Sequence, residues 1–121
     1  MFVLRVKIGW EAAHRLSDHD GRCRRLHGHS YRCTLILESE GLINGGPKDG
    51  MVVDYADVKA AAQPMLERYL DHHYLNETLG DDQTTVERLC AWVYYFLKRL
   101  LPQLAAVRID ETCTGAAEYR P

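Results

Sequence analysis

The sequence predicts one α+β domain, a four-stranded antiparallel sheet with two helices on one face, in the order β-β-α-α-β-β. Three observations predict it. Two stretches near the N-terminus alternate apolar and polar residues, two later stretches place apolar residues at helical spacing, and alternation returns near the end of the chain. A length of 121 residues suits a single domain over 1–121 with a modest core.

In residues 2–12, Phe2, Leu4, Val6, Ile8 and Trp10 fall on one face, and Arg5, Lys7 and Glu11 on the other. That is the period of a half-buried strand. Residues 30–38 repeat the pattern, with Tyr31, Cys33, Leu35 and Leu37 opposite Arg32, Thr34 and Glu38. Consecutive strands of this kind pair antiparallel most simply.

Turn residues crowd 40–50, and Met51-Val52-Val53 follows. Asp54 reads as an N-cap for a helix carrying Tyr55, Val58, Ala62, Met65, Leu66 and Tyr69 at helical spacing. Pro64 should kink that helix or divide it. After a loop over 71–83, Thr84-Thr85-Val86-Glu87 resembles a capping box. Val86, Leu89, Cys90, Val93, Leu97 and Leu100 form the second helical stripe, which Pro102 ends. Ala106 to Cys113 reads as a third strand and Ala116 to Tyr119 as a short fourth. The second sheet face and the sheet edges lack a cover within one chain, which points to a homo-oligomer.

Fifteen Lys and Arg stand against 17 Asp and Glu, a net charge of −2, so nothing favours nucleic acid or an anionic membrane as partner. Cysteines stand at 23, 33, 90 and 113 without a CxxC pair, the first residues MFVLRVK do not form a signal peptide, and the longest apolar run, Leu89 to Leu97, is nine residues. A membrane span needs about 20. The expectation is a cytoplasmic protein with reduced thiols. Cys33, Cys90 and Cys113 fall on apolar stripes and are expected in the core.

The chemistry concentrates in Cys23-Arg24-Arg25-Leu26-His27-Gly28-His29-Ser30. His27 and His29 share a strand face, and antiparallel pairing brings His14, at the end of the first strand, beside them. Three imidazoles on one surface match a zinc site with an open position. The alternative is a polar loop leading into a strand. Cys23, among Arg22, Arg24 and Arg25, is a candidate base or nucleophile, since cations stabilise a thiolate. With Arg15, the same arginines suit a polyanionic group, or else are simply solvated. Asp71 beside His72 can orient an imidazole, although both can equally belong to a helix C-terminus. Glu111 shares a face with Val107, Ile109 and Cys113, where a carboxylate is expensive unless paired. It is either a ligand anchor or a solvated strand end.

Taken together, Glu11-Ala12-Ala13-His14-Arg15-Leu16, Cys23 to Ser30, Gly50 to Tyr55, Leu70 to Asn76, Thr84 to Glu87 and Glu111-Thr112 resemble the 6-pyruvoyltetrahydropterin synthase family. The Cys-x3-His-Gly-His spacing resembles its bacterial 6-carboxytetrahydropterin branch, which serves queuosine synthesis. The resemblance implies a tunnelling fold, or T-fold, in which trimers close into barrels and stack as hexamers with active sites between subunits. It implies Zn2+ on His14, His27 and His29, catalysis by Cys23, Asp71 and His72, and a pterin held by Glu111. It brings Thr84 and Thr85 toward substrate, with capping as the other explanation. Arg24 and Arg25 remain candidates for a triphosphate. The activity implied is a zinc-dependent lyase converting 7,8-dihydroneopterin triphosphate to 6-carboxy-5,6,7,8-tetrahydropterin with loss of triphosphate and acetaldehyde. The alternatives are the 6-pyruvoyl product from the same substrate, a zinc hydrolase, or a pterin-binding module without turnover.

Overall fold

A computed structural model describes residues 1–121. Strands β1 (Phe2–His14) and β2 (His27–Ser39) pair antiparallel along their whole length, from Phe2 opposite Ser39 to His14 opposite His27. Both run longer than the alternation alone marks, because Ala12-Ala13-His14 and His27-Gly28-His29 continue the ladder past the apolar positions. Between them, Arg22–Arg24 makes one 3-10 turn.

Helix α1 (Tyr55–Met65) starts where Asp54 accepts a hydrogen bond from the Ala56 N–H. Pro64 does not stop the chain from turning. The helix changes pitch at Leu66 and continues as a π-helical turn over Leu66–Leu70, closed by the Asp71 N–H on the Leu66 carbonyl at 2.7 Å. The segment 71–83 is more ordered than a loop. It holds a two-residue strand β3 (His73–Tyr74), parallel to β1 at Ala12 and Ala13, and a single-turn helix α2 (Leu75–Thr78).

Helix α3 (Val86–Lys98) is capped by Thr85, whose hydroxyl accepts from the Arg88 N–H. The cap is therefore Thr85 and not Thr84. Strand β4 (Leu104–Thr112) pairs β2, and β5 (Gly115–Tyr119) pairs β4. The sheet order is β3-β1-β2-β4-β5, the four expected strands plus the short β3.

The core lies between the sheet and the helices. Trp10, Tyr31, Leu35, Leu37, Leu89, Val93, Leu97, Leu104 and Ile109 are buried there. Cys33 and Cys90 are buried as expected, and Cys90 donates to the Ala117 carbonyl. Cys113 is a correction. Strand β4 ends at Thr112, which still pairs with Gly115, and Cys113 is exposed in the turn that leads into β5. All four cysteines are free thiols, and no helix is long and apolar enough to cross a membrane.

Candidate active site

The β1–β2 register sets His14 opposite His27 and Ala12 opposite His29. All three imidazoles therefore emerge on the helix-covered face, at the end of the sheet beyond Trp10 and Tyr31. Their ring centroids are 4.6, 4.9 and 5.1 Å apart, and one nitrogen from each lies within 4.8 Å of the others. Gly28 lets the strands close up between them: a Cβ there would come 3.2 Å from the Ala12 carbonyl oxygen.

The ring orientations are fixed by backbone carbonyls. His14 Nδ1 donates to the Thr84 oxygen at 2.9 Å and His27 Nδ1 to the Arg25 oxygen at 2.7 Å. A carbonyl only accepts, so Nδ1 carries a proton, and in the neutral ring Nε2 is the nitrogen left with a lone pair. The Nε2 atoms of His14 and His29 are buried without a hydrogen-bond partner. Leaving such an atom unsatisfied costs about 1–3 kcal/mol. A divalent ion among the three rings satisfies both. Three imidazole donors with room for a further ligand fit zinc. Burial lowers the His14 pKa to about 4 against the raising effect of its bond to Thr84, with His27 and His29 adding to the fall. Burial also lowers His29, opposed by Glu111. Both rings are thus held in the neutral form that a metal requires.

Behind His14 stands a network that sequence reading missed. Thr84 is buried, with its Oγ1 3.2 Å from His14 Nδ1, and it donates to Asn76 Oδ1 at 3.0 Å. Asn76 also accepts from the Arg15 N–H and donates to the Arg15 carbonyl. The Thr84 side chain is thus committed within its own chain. No local pattern marks Asn76; the only signal was a polar residue following buried Leu75. Tyr31 falls on the apolar stripe of β2, yet its hydroxyl is buried without a partner and its ring centroid lies 5.5 Å from that of His29. Burial, with Glu111 adding, pushes its pKa up.

Glu111 reaches the site from β4, with carboxylate oxygens 3.8 Å from His14 Nε2 and 3.9 Å from His29 Nε2. It is neither deeply buried nor simply solvated. It lines a hollow of about 660 Å3 together with His29, Ser30, Lys7 and Arg32.

Asp71 and His72 form a bonded pair, Oδ1 to Nδ1 at 3.0 Å. Both are clamped to β1: the Glu11 N–H donates to Asp71 Oδ1, and the His72 N–H donates to the Glu11 carbonyl. The Glu11 N–H, more than His72, holds the Asp71 carboxyl below its ordinary pKa. His72 adopts φ of +60°, a conformation that costs a non-glycine residue about 1 kcal/mol or more. With His29, Ser30, Glu11 and Tyr74 it lines a second hollow of about 520 Å3, which shares Gly28, His29 and Ser30 with the first.

Cys23 is half-buried in the 3-10 turn, and its carbonyl accepts from the Leu16 N–H at 2.7 Å, tying the turn to the chain just past His14. Cys23, Arg24, Arg25 and Thr85 line neither hollow, and the two arginines are exposed.

Comparison with known proteins places this geometry among relatives. The model of the family described as 6-pyruvoyl tetrahydropterin synthase matches residues 3–121. The chain is 42% identical over 120 residues to the 6-carboxy-5,6,7,8-tetrahydropterin synthase of Synechocystis sp., covering 98% of this chain and 93% of that protein. It is 27% identical over 129 residues to human 6-pyruvoyl tetrahydrobiopterin synthase, covering 94% and 88%. The solved 6-pyruvoyl tetrahydropterin synthase of Caenorhabditis elegans superposes with a TM-score of 0.83 at 26% identity, covering 99% of this chain and 95% of that one.

Proposed function

Because this chain belongs to the 6-pyruvoyl tetrahydropterin synthase family and has its T-fold, we propose that it converts 7,8-dihydroneopterin triphosphate to 6-carboxy-5,6,7,8-tetrahydropterin, with Zn2+ held by His14, His27 and His29. The observation that carries this reading is the convergence of three imidazoles on one point, beside the hollow that Glu111 lines.

Bound zinc supplies Lewis acidity toward the side-chain hydroxyls of the pterin. The chain's own residues do the rest. The Glu111 carboxylate accepts two parallel N–H bonds from the amino-pyrimidine edge and so fixes the ring. Cys23 Sγ removes a proton from the substrate side chain. His72, oriented by the Asp71 carboxylate at its Nδ1, delivers a proton to the ring system. Triphosphate leaves. Cleavage of the side-chain carbon–carbon bond then releases acetaldehyde, and water supplies the second carboxylate oxygen. Thr84 acts through His14, and Thr85 through the start of α3.

Greater identity to the Synechocystis protein than to the human one supports the 6-carboxy product over the 6-pyruvoyl product. The enzyme works as a homo-oligomer in this reading. The outer edge of β1 is paired only at Ala12 and Ala13, the outer edge of β5 is open, and Phe2, Val3, Leu42, Met51 and Tyr55 are exposed together around an apolar hollow. The test is incubation of the zinc-loaded protein with 7,8-dihydroneopterin triphosphate and mass analysis of the products. Acetaldehyde with a carboxylated tetrahydropterin supports the reading; a pyruvoyl pterin, or no turnover, rejects it.

A further inference from the structure

Tyr31 is fully enclosed, and its hydroxyl is one of four buried side-chain polar atoms without a hydrogen-bond partner. Two of the others, His14 Nε2 and His29 Nε2, face the candidate metal position, and the fourth is the indole N–H of Trp10. A buried donor left unpaired is destabilising, so each such group calls for an explanation.

The possible acceptors around the phenol are few. Trp10 stacks on it with ring centroids 5.5 Å apart, but an indole only donates. The rings of His29 and His14 stand edge-on to it at 5.5 and 6.1 Å, with their free nitrogens turned to the metal position. On the other side of β2 runs β4, where Arg32 pairs with Asp110 and Cys33 with Ile109. One residue further along, the same register sets Tyr31 opposite Glu111. Alternation puts both on the helix-covered face with Cys33 and Ile109.

Glu111 lacks a donor in turn. Its contacts with His14 Nε2 and His29 Nε2, at 3.8 and 3.9 Å, are too long for hydrogen bonds. The two side chains differ in freedom. Tyr31 is wedged between Trp10 and the imidazoles with none of its surface exposed, while a quarter of the Glu111 side chain is open to solvent. Glu111 is therefore the partner that can turn, and Tyr31 the one that stays.

We propose that Tyr31 is a positioning residue for Glu111: its fixed hydroxyl donates to one carboxylate oxygen in the zinc-loaded protein and so sets the direction in which the carboxylate faces its ligand. A hydroxyl bonded to a carboxylate makes a short, charge-assisted bond, and the remaining lone pairs stay free for the N–H groups of a pterin edge. The inference rests on the substrate reading above for what Glu111 holds, but not for the bond between Tyr31 and Glu111.

The first test is ultraviolet resonance Raman spectroscopy of the zinc-loaded protein. Subtracting the Tyr31→Phe spectrum from that of the wild type isolates one tyrosine of seven. Its ring-mode doublet, whose intensity ratio reports hydrogen bonding at the phenol, should be that of a strong donor. The same subtraction made in Glu111→Ala protein should lose that signature. The second test is calorimetric titration with 7,8-dihydroneopterin. Tyr31→Phe should keep its zinc and bind the pterin about tenfold more weakly, the worth of a hydrogen bond to a charged group. In the Glu111→Ala background the same change should cost no further affinity. In turnover KM should rise while kcat holds. Chelator-treated Tyr31→Phe should melt no lower than the wild type, whereas a hydroxyl needed only for packing would lower it. A tyrosine signal indifferent to Glu111, or an equal loss of pterin affinity with and without Glu111, overturns the proposal. Wild-type protein that shows the Tyr31–Glu111 bond yet neither binds nor turns over a pterin supports the pairing while rejecting the activity.

Discussion

The imidazole Nδ1 of His14 lies 2.9 Å from the carbonyl oxygen of Thr84, 70 positions away in the chain. That bond fixes the tautomer and leaves Nε2 facing His27 and His29. Asn76 holds Thr84 in place through the threonine hydroxyl, and is itself held by both backbone groups of Arg15. Groups that orient a ligating histidine are typically worth 10–100-fold in metal affinity. Asn76→Ala should therefore weaken zinc binding by about that factor in a competitive chelator titration, with the α-helical circular dichroism retained. Wild-type zinc affinity in the variant would show that Asn76 does not act through His14.

Acid should weaken the metal-free protein through His14. Its folded pKa of about 4 lies below the ordinary 6.5, chiefly from burial. Above pH 6.5 the ring is neutral in folded and unfolded chains alike, so it costs nothing. As pH falls from 6.5 toward 4 the unfolded chain takes up a proton that the folded one refuses, and stability falls by on the order of 3 kcal/mol. The depressed pKa of His29 acts in the same direction. Urea unfolding of chelator-treated protein across this range should show the loss, and a His14→Gln protein should show a shallower one.

The strained backbone at His72 separates its chemistry from its structure. Asparagine tolerates the left-handed region better than most residues. His72→Asn should melt within a few degrees of the wild type while its turnover falls about 10²–10⁴-fold, the usual worth of a positioned acid or base. Turnover within a factor of three of the wild type would remove His72 from the mechanism.

Cys23 distinguishes the synthase from a zinc hydrolase, which has no need of a thiol. Cys23→Ala should bind one zinc and the pterin normally, yet form product at least about a hundredfold more slowly. Full activity in that variant would favour direct attack by activated water.

Much of this arrangement could be read from period and pairing alone. Alternation through Phe2–Trp10 and Tyr31–Leu37 predicts the central pair, and pairing of the two strands brings His14 to His27 and His29. Those relations are local or follow from one hairpin. What was not legible depends on contacts distant in sequence. The parallel strand at His73 and Tyr74 has only two residues and no alternation to betray it. Thr84 looks like a helix cap until the fold sets His14 against it, and then Thr85 takes the cap. Alternation alone puts Cys113 on the apolar face with Ile109, but the strand ends at Thr112 and Cys113 falls in the turn, an end point that period does not mark.

The central claim is that His14, His27 and His29 hold a single ion on which activity depends. Elemental analysis of purified active protein, alongside His14→Ala, His27→Ala and His29→Ala, tests it most directly. The account predicts one zinc per chain in the wild type, and loss of both metal and turnover in each variant. Active protein without stoichiometric metal, or a variant that keeps its zinc at full occupancy, would contradict it.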